Sequence, residues 1–414
     1  VDSLGLVLGL VSIINSIYNL FYSRRSLCPI KDIKLNHFPS VSVNIAVKDP
    51  DIYRLINTID SIKRQRYNGS LEIIIVYDGR IGQLSKLLRG TGVKLIEGEN
   101  KGKASALNKA LRESTGEIIV ILDEDNALIN ENSIEELVKP ILSGYIASIG
   151  RLKVICNGET SVSKAYAKFT DFTFSKLFKG FSCSGKNVYI IGGGSAILRK
   201  ALLKVGGWSN KCITEDLDLS VKLISNGYKI SYSEKALIAS HPPSNLFAYI
   251  SQISRWALGA GQVLRNNLFK GRGWRLYSMQ WLLQPMIIYS ALIFSILSLI
   301  LHYDLLDQYY YLELMLYFII NGLMYGRASP EEGGLSVISS LIAPTFFLIG
   351  LLSRKSKWTP TGSYSKNKKV TIYLLLVNYL LIVISTSELA LGYIFSSMFL
   401  YFIALSMLYV TLFF

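Results

Sequence analysis

Acidic residues are scarce in this chain: 29 Asp and Glu stand against 44 Lys and Arg, a formal net charge of +15. Such a surplus needs a partner, and the candidates are nucleic acid, anionic lipid headgroups and a phosphorylated substrate. No stretch resembles a nucleic-acid-binding module, which removes the first. Cysteine is also sparse. Cys28, Cys156, Cys183 and Cys212 form no CxxC and lie far apart, so they read as free thiols or core fillers rather than a zinc or disulfide framework. Internal repeats and low-complexity segments are lacking too. A chain of 414 residues therefore divides by composition, and its length implies two or more domains.

What is plentiful is apolar sequence, at 50% of residues and a mean hydropathy of +0.34, unevenly spread. Residues 4–22, "LGLVLGLVSIINSIYNLFY", are uncharged over a length that spans a bilayer. A signal peptide would carry its basic residues before a shorter apolar core, whereas Arg24 and Arg25 follow this one. The basic loop "SRRSLCPIKDIKLN" then places the middle of the chain in the cytoplasm by the positive-inside rule. Further spans are expected near 278–301, 309–325, 370–387 and 390–414, with Glu388 at the outer turn of the last pair. The run 333–352 would, if it spanned, put a loop with six Lys/Arg and no acid outside. With Pro344 near its middle it reads as re-entrant or interfacial, giving five spans, with six as the alternative.

Between these ends the pattern changes. "VSVNIAV" (41–47), "LEIIIVY" (71–77) and "EIIVIL" (117–122) are β-branched runs separated by helical patterns. That alternation predicts a doubly wound α/β domain with a mainly parallel sheet, whose ligands bind beyond the C-terminal strand ends. Asp78 and Asp123 fall at two such ends.

Five stretches carry chemistry. "ILDEDNA" sets Asp123 and Asp125 past a strand, where two carboxylates can hold Mg2+ or Mn2+ or form a polar turn. "NKGKASALNKAL" places Lys101 and Lys103 before a helix, as a phosphate site or a solvated cap. "IGGGSAILRKALLKVGGW" offers three glycines for close backbone approach, or a tight turn, but no dinucleotide fingerprint. "ITEDLDLS" gathers Glu215, Asp216 and Asp218. Alone it reads as helix capping, with Thr214 as N-cap and acids complementing the dipole. "QISRW" puts Gln252, Arg255, Trp256 and Gly259 on one helical face, which also suits a helix at headgroup level.

Asp78, the DxD, the glycine stretch, TED and QxxRW occur in the order seen in membrane-bound inverting family-2 glycosyltransferases, which include cellulose, hyaluronan, chitin and poly-N-acetylglucosamine synthases. The chain resembles that family over about 40–270, and "KWTPTG" (357–362) is loosely similar to the synthases' gating loop. The resemblance implies a GT-A-like cytoplasmic domain plus an α-helical transmembrane domain. The parts are 1–24 (N-terminal span), 38–245 (glycosyltransferase domain), 246–275 (amphipathic interface helix with QxxRW) and 276–414 (four spans plus the segment 333–352).

It also implies roles. Asp216 would be the general base, grouped with Glu215 and Arg255 as catalytic. Asp78, Lys103, Asp123, Gln252 and Arg255 would hold the nucleotide and diphosphate. Asp125 with Asp123 would bind Mg2+ or Mn2+, and Gly194, Ser195 and Trp256 would meet the acceptor. The implied enzyme sits in the cell membrane and extends a β-linked polysaccharide from a UDP-sugar. "GKASALNKAL" leans toward UDP-N-acetylglucosamine, with UDP-glucose beside it. The alternative adds one sugar to a lipid such as a polyprenyl phosphate or glycolipid. Five spans leave a continuous pore to a second copy or an export partner. Two departures, "AVKDP" with Lys48 and "YDG" in place of DDG, touch base recognition and leave UDP against GDP open.

Overall fold

The three β-branched runs become adjacent parallel strands in a computed structural model that describes residues 2–28, 35–79, 82–156, 160–268, 275–306, 308–326, 330–353 and 368–413. The strands are β1 (Val41–Val47), β2 (Leu71–Tyr77), β3 (Val93–Glu97), β4 (Ile118–Leu122), β5 (Ala147–Val154), β6 (Ser195–Leu198) and β7 (Ile230–Ser240). They form one seven-stranded sheet in the order β3-β2-β1-β4-β6-β5-β7. All the pairs are parallel except those of β6, which runs antiparallel to both β4 and β5. The sheet is mainly parallel, as expected from the alternation.

The helices are α1 (Asp2–Arg24), α2 (Ile52–Lys63), α3 (Gly82–Leu87), α4 (Lys103–Glu113), α5 (Ser133–Leu142), α6 (Ser161–Phe172), α7 (Lys179–Cys183), α8 (Arg199–Lys204), α9 (Glu215–Ser225) and α10 (Leu246–Asn266). Then follow α11 (Arg275–Leu283), α12 (Met286–Leu301), α13 (Gln308–Tyr325), α14 (Pro330–Leu352), α15 (Lys368–Ala390) and α16 (Ile394–Phe413). A π-helical turn, Thr173–Phe178, joins α6 to α7. Asp51 caps α2 by accepting from the Tyr53 and Arg54 amides at 3.0 and 3.3 Å. Leu55, Ile59 and Ile62 then recur at helical spacing, fully buried with α5 on one sheet face. Each contributes about 1.5–3 kcal/mol by leaving water. Leu107 and Leu111 of α4 and Leu219 and Leu223 of α9 cover the other face.

The structure corrects several expectations. Cys28 and Cys183 are disulfide-bonded across 155 residues, with Cα atoms 6.0 Å apart, and only Cys156 and Cys212 are free. The pairing arises because α1 lies along α7. Tyr22 packs on Phe181 with ring centroids 5.0 Å apart, and the Tyr22 carbonyl fills the space a side chain at Gly180 would need. Glu388, expected at the outer turn of the last pair, lies in the last turn of α15, where it is fully buried. The expected second span is two helices, α11 and α12, parted at Gln284 and Pro285.

The run 333–352 lies within one uninterrupted helix, α14, that includes Pro344. Among the described residues, Glu332–Leu352 is the one helix long and apolar enough to cross a membrane, with a mean hydropathy of 2.2. Met286–Leu301, Leu375–Ala390 and Ser396–Leu408 are shorter apolar helices. The stretch resembling a gating loop, 357–362, and most of the basic loop around it lie outside the described residues.

The amphipathic helix α10 is not a surface element. Its Ala257, Gly259, Ala260 and Val263 are buried between the sheet domain and α14. Glycines permit that contact: a Cβ on Gly261 would stand 2.8 Å from the Leu351 amide, and one on Gly350 2.8 Å from the Leu258 carbonyl carbon.

Candidate active site

A single cavity of about 1940 Å³ opens at the C-terminal ends of β1, β2 and β4 and continues between α1, α6, α10, α11, α13 and α14. At its charged end, four loops are tied together. Asp78 follows β2, is 4% exposed, and accepts from the amides of Asn100 at 3.1 Å and Gly102 at 3.2 Å. Those bonds fix the turn that launches α4, whose first residue is Lys103. Gly102 adopts φ +90°, a conformation that favours glycine.

Lys103 reaches across the sheet end. Its Nζ donates to Asp123 Oδ1 at 2.5 Å and to the Gly192 carbonyl at 3.3 Å, and lies 3.5 Å from Glu215 Oε1. Burial alone would pull the Lys103 ammonium down, but Asp123 and Glu215 outweigh it and hold the group well above its usual range. One lysine thus binds the DxD loop to the TED turn, 92 residues apart in sequence from Asp123 to Glu215.

The DxD loop is held from both sides. Asn126 accepts from the Asp123 amide at 3.2 Å and donates to the Ala239 carbonyl at 3.0 Å, while Thr58 donates to the Glu124 carbonyl at 2.9 Å. Burial, reinforced by Asp123, raises the Asp125 carboxyl, against His241 and Arg54. Arg54 Nη1 stands 3.9 Å from Asp125 Oδ2. Asp123 and Asp125 form a paired hard-oxygen set, and no group of three or more His, Cys, Asp or Glu capable of holding a metal occurs among the described residues. That donor set fits Mg2+ or Mn2+, which one or two carboxylates hold when substrate phosphates complete the shell.

TED opens α9. Thr214 takes the N-cap position but does not cap: its hydroxyl is buried without a hydrogen-bond partner. It is pressed instead against Gly259 of α10, where a Cβ would come within 2.5 Å of it. Gln262 of the same helix accepts from the Ile213 amide at 3.0 Å, and Ser220 grips α9 by donating to the Asp216 carbonyl and accepting from the Ile190 amide at 2.7 Å. Burial pushes the Glu215 carboxyl up to about 7, with Lys103 opposing. Asp216 lines the cavity and accepts from the Leu217 amide at 2.8 Å; burial raises its carboxyl too, again against Lys103. Asp218 points away, 3% exposed, accepting from Asn267 Nδ2 at 3.0 Å and lying 3.4 Å from Lys222.

The glycine stretch meets the cavity two residues earlier than expected. Gly192 and Gly193 line the cavity. A Cβ on Gly192 would stand 2.8 Å from Lys103 Nζ and 3.4 Å from Asp216 Oδ2, so only bare backbone fits there. Gly194 and Ser195 do not line it. Gly194 has φ +90° beneath Ile238, and the fully buried Ser195 hydroxyl bonds back to Ile191 as β6 begins.

From α10, Gln252, Arg255 and Trp256 all line the cavity. Gln252 Oε1 is buried without a hydrogen-bond partner, and the Trp256 ring lies 6.1 Å from that of Trp281, tilted by 52°. Arg54, Asn126, His241 and Trp281 were missed by sequence reasoning. Only Asn126, inside the quoted DxD stretch, carried a local signal, its capacity for an Asx turn.

Residues 118–328 match the profile described as glycosyl transferase family group 2. That is half of the chain. The protein belongs to this family. A probable glycosyltransferase of Sulfolobus acidocaldarius is 27% identical over 256 residues, covering 57% of this chain and 53% of the relative. The poly-β-1,6-N-acetyl-D-glucosamine synthase of Staphylococcus aureus is 25% identical over 276 residues, covering 62% and 64%. The chain thus spans between half and two thirds of the length of these relatives.

The Pyrobaculum calidifontis mannosyltransferase PcManGT, solved with GDP-Man and Mn2+, superposes with a TM-score of 0.56 at 17% identity, over 85% of this chain and 97% of that one. The glycosyltransferase fold is therefore GT-A-like, mixed α/β with a mainly parallel sheet.

Proposed function

We propose that this glycosyltransferase acts at a membrane, moving a sugar with inversion from a nucleoside-diphosphate sugar to an acceptor in the cavity. The observation that carries the reading is the convergence of TED and DxD carboxylates on one cavity, joined through Lys103. UDP is the favoured nucleotide and extension of a β-linked polysaccharide the favoured outcome. Exposed apolar residues on the helices, such as Ile14, Ile300, Leu312 and Leu405, support a bilayer around them.

In the proposed displacement an acceptor hydroxyl attacks the anomeric carbon as the bond to the diphosphate oxygen breaks. Asp216 takes the hydroxyl proton, and its fixed place in the first turn of α9 sets the angle of transfer. Asp123 and Asp125 would hold a divalent cation, whose charge offsets that developing on the leaving diphosphate. Arg255, lining the same cavity, supplies a further positive group for that oxygen. Lys103 and Glu215 set the charge and position of the two carboxylate loops. Asp78 holds the turn before Lys103, and its place at the strand end suits contact with the nucleotide. Trp256 presents an indole face to the acceptor sugar.

The test is a screen of UDP- and GDP-sugars with the purified full chain in lipid nanodiscs, reading nucleotide release and product size. Release with a product that lengthens supports the reading. A single sugar on extracted lipid would redirect it to the lipid acceptor, and no release with any donor would overturn it.

A further inference from the structure

Away from the carboxylates, α1, α11 and α13 meet in apolar surroundings, yet six uncharged polar side chains face one another: Asn15, Ser16, Asn19, Gln280, Gln284 and Asn321. Asn15 Nδ2 donates to Gln284 Oε1 at 2.6 Å and Gln280 Oε1 at 3.1 Å, and Gln280 Nε2 donates back to Asn15 Oδ1 at 3.1 Å. Gln284 Nε2 donates to Asn321 Oδ1 at 2.9 Å and Ser16 Oγ at 3.1 Å. Asn19 is the exception. Its Nδ2 makes only long bonds, 3.4 and 3.3 Å, to oxygens already engaged by Asn15. Its Oδ1 accepts nothing, although the residue is only 6% exposed.

Asn19, Gln280, Gln284 and Asn321 all line the cavity that holds the carboxylates. Burying an amide oxygen without a donor is costly, and an apolar residue would pack there more cheaply. A ligand that brings a donor removes the penalty.

The cluster also says which ligand. Amide side chains both donate and accept, which matches sugar hydroxyls. A phosphate or carboxylate would call for Arg or Lys, and the cluster has neither. Trp281 follows Gln280 directly and faces Trp256 at 6.1 Å, adding aromatic surface of the kind sugar rings stack on.

We propose that this amide cluster is a subsite for the neutral, hydroxyl-bearing saccharide part of the acceptor, remote from the attacking hydroxyl. The assignment rests on the transfer reading above, in that the other end of the cavity holds the reacting groups. It sets the acceptor class as glycan rather than an anionic lipid head group at this subsite.

The experiment titrates the full chain in nanodiscs with pentaoses of glucose, N-acetylglucosamine and mannose, and separately with farnesyl phosphate, following tryptophan fluorescence without nucleotide. At least one pentaose should bind. Asn19→Leu should weaken it about tenfold, the size of a lost hydrogen bond to a buried partner, while Mn2+-dependent UDP binding stays unchanged. Should Asn19→Leu not fold, Gln280→Leu is measured against the same outcomes.

Failure of every pentaose to bind would overturn the subsite. So would farnesyl phosphate binding that weakens equally in the variant, or a variant that loses thermal stability with its pentaose affinity intact. The last result would make the cluster mere helix glue. Failure of the transfer reading shows separately, as absence of nucleotide-sugar binding by the unaltered chain.

Discussion

The two ends of the cavity are built from different chemistry on different scaffolds. At the sheet end, carboxylates and a lysine stand on loops that follow strands or open helices, each pinned by backbone amides or by another loop. At the other end, neutral amides stand on α1, α11 and α13 and at the break after α11, and bond to one another, to serine and to backbone. Charge is useful at one end and not at the other. A leaving diphosphate develops charge at a fixed point and is met by fixed charges. A saccharide develops none, and neutral amides suit it.

The sharpest way to break the comparison is to remove charge where it is thought indispensable. Asp125→Ala should abolish sugar transfer and divalent-cation-dependent nucleotide binding, because the cation loses one of the two carboxylate oxygens the chain offers it. Nucleotide binding by calorimetry with and without chelator checks this. Full activity in excess chelator would leave the DxD as a turn.

Next in size is Asp216→Asn. It keeps shape and the bond from Leu217 but cannot take a proton, so transfer should drop by roughly 100-fold with nucleotide-sugar binding within a few-fold of wild type. Asp218→Asn is the control. Asp218 faces Asn267 and Lys222, so its loss should cost about 1–3 kcal/mol of stability, the worth of buried charged hydrogen bonds, and spare catalysis per folded molecule. Equal losses in both variants, tracking folded protein alone, would remove the base.

A smaller effect comes with pH. A base must be ionised, so kcat/KM should rise with pH and level off above the Asp216 pKa, which burial lifts above the ordinary aspartate range. Below that point activity should fall about tenfold per unit. Glu215 is pushed up as well, to about 7, so its titration has to be separated from that of Asp216. Glu215→Gln should therefore leave an acid limb in place, whereas Asp216→Asn should flatten it. A limb that survives in Asp216→Asn but vanishes in Glu215→Gln would transfer the role to Glu215.

Legibility in the sequence follows the same division of chemistry. β4, nearly all of β1 and the centre of β2 are buried in parallel strands, so their β-branched runs are uninterrupted and readable. β5 and β7 carry Arg151, Lys153, Glu234 and Lys235 at the rim, which breaks the pattern. β6 is only four residues long and hides behind three glycines. The carboxylate and QxxRW stretches, whose residues line the cavity, stand out in the sequence because their spacing is local. Gly194, expected to meet the acceptor, does not line the cavity: it takes φ +90° under Ile238 as β6 begins, a demand of the sheet. Asn126 anchoring β7, the Cys28–Cys183 pair and the amide cluster join residues far apart in the chain, and no local pattern encodes such meetings.

The smallest predicted effect concerns α10, which joins the two ends. It carries Gln252, Arg255 and Trp256 on the cavity and Gly259 against Thr214 one turn further along. A Cβ at Gly259 would stand 2.5 Å from both Thr214 Cγ2 and Oγ1, closer than packed atoms approach. Thr214 is held at the head of α9 while Gln262 fixes the neighbouring Ile213 amide, so neither element gives way freely. Gly259→Ala should therefore cost about 1–3 kcal/mol through overpacking, with transfer per folded molecule lowered only a few-fold as Asp216 shifts relative to Arg255. The partner change makes this specific to the contact. Thr214→Ala removes the two closest atoms, leaves only its own Cβ at 2.9 Å, and gives up a hydroxyl that has no hydrogen-bond partner to lose. The double variant should recover part of the melting temperature lost in Gly259→Ala, a non-additivity that thermal unfolding of both singles and the double measures directly. Simple addition of the two losses would mean that Gly259 matters for helix geometry alone, and that α10 does not couple the charged end of the cavity to the neutral one.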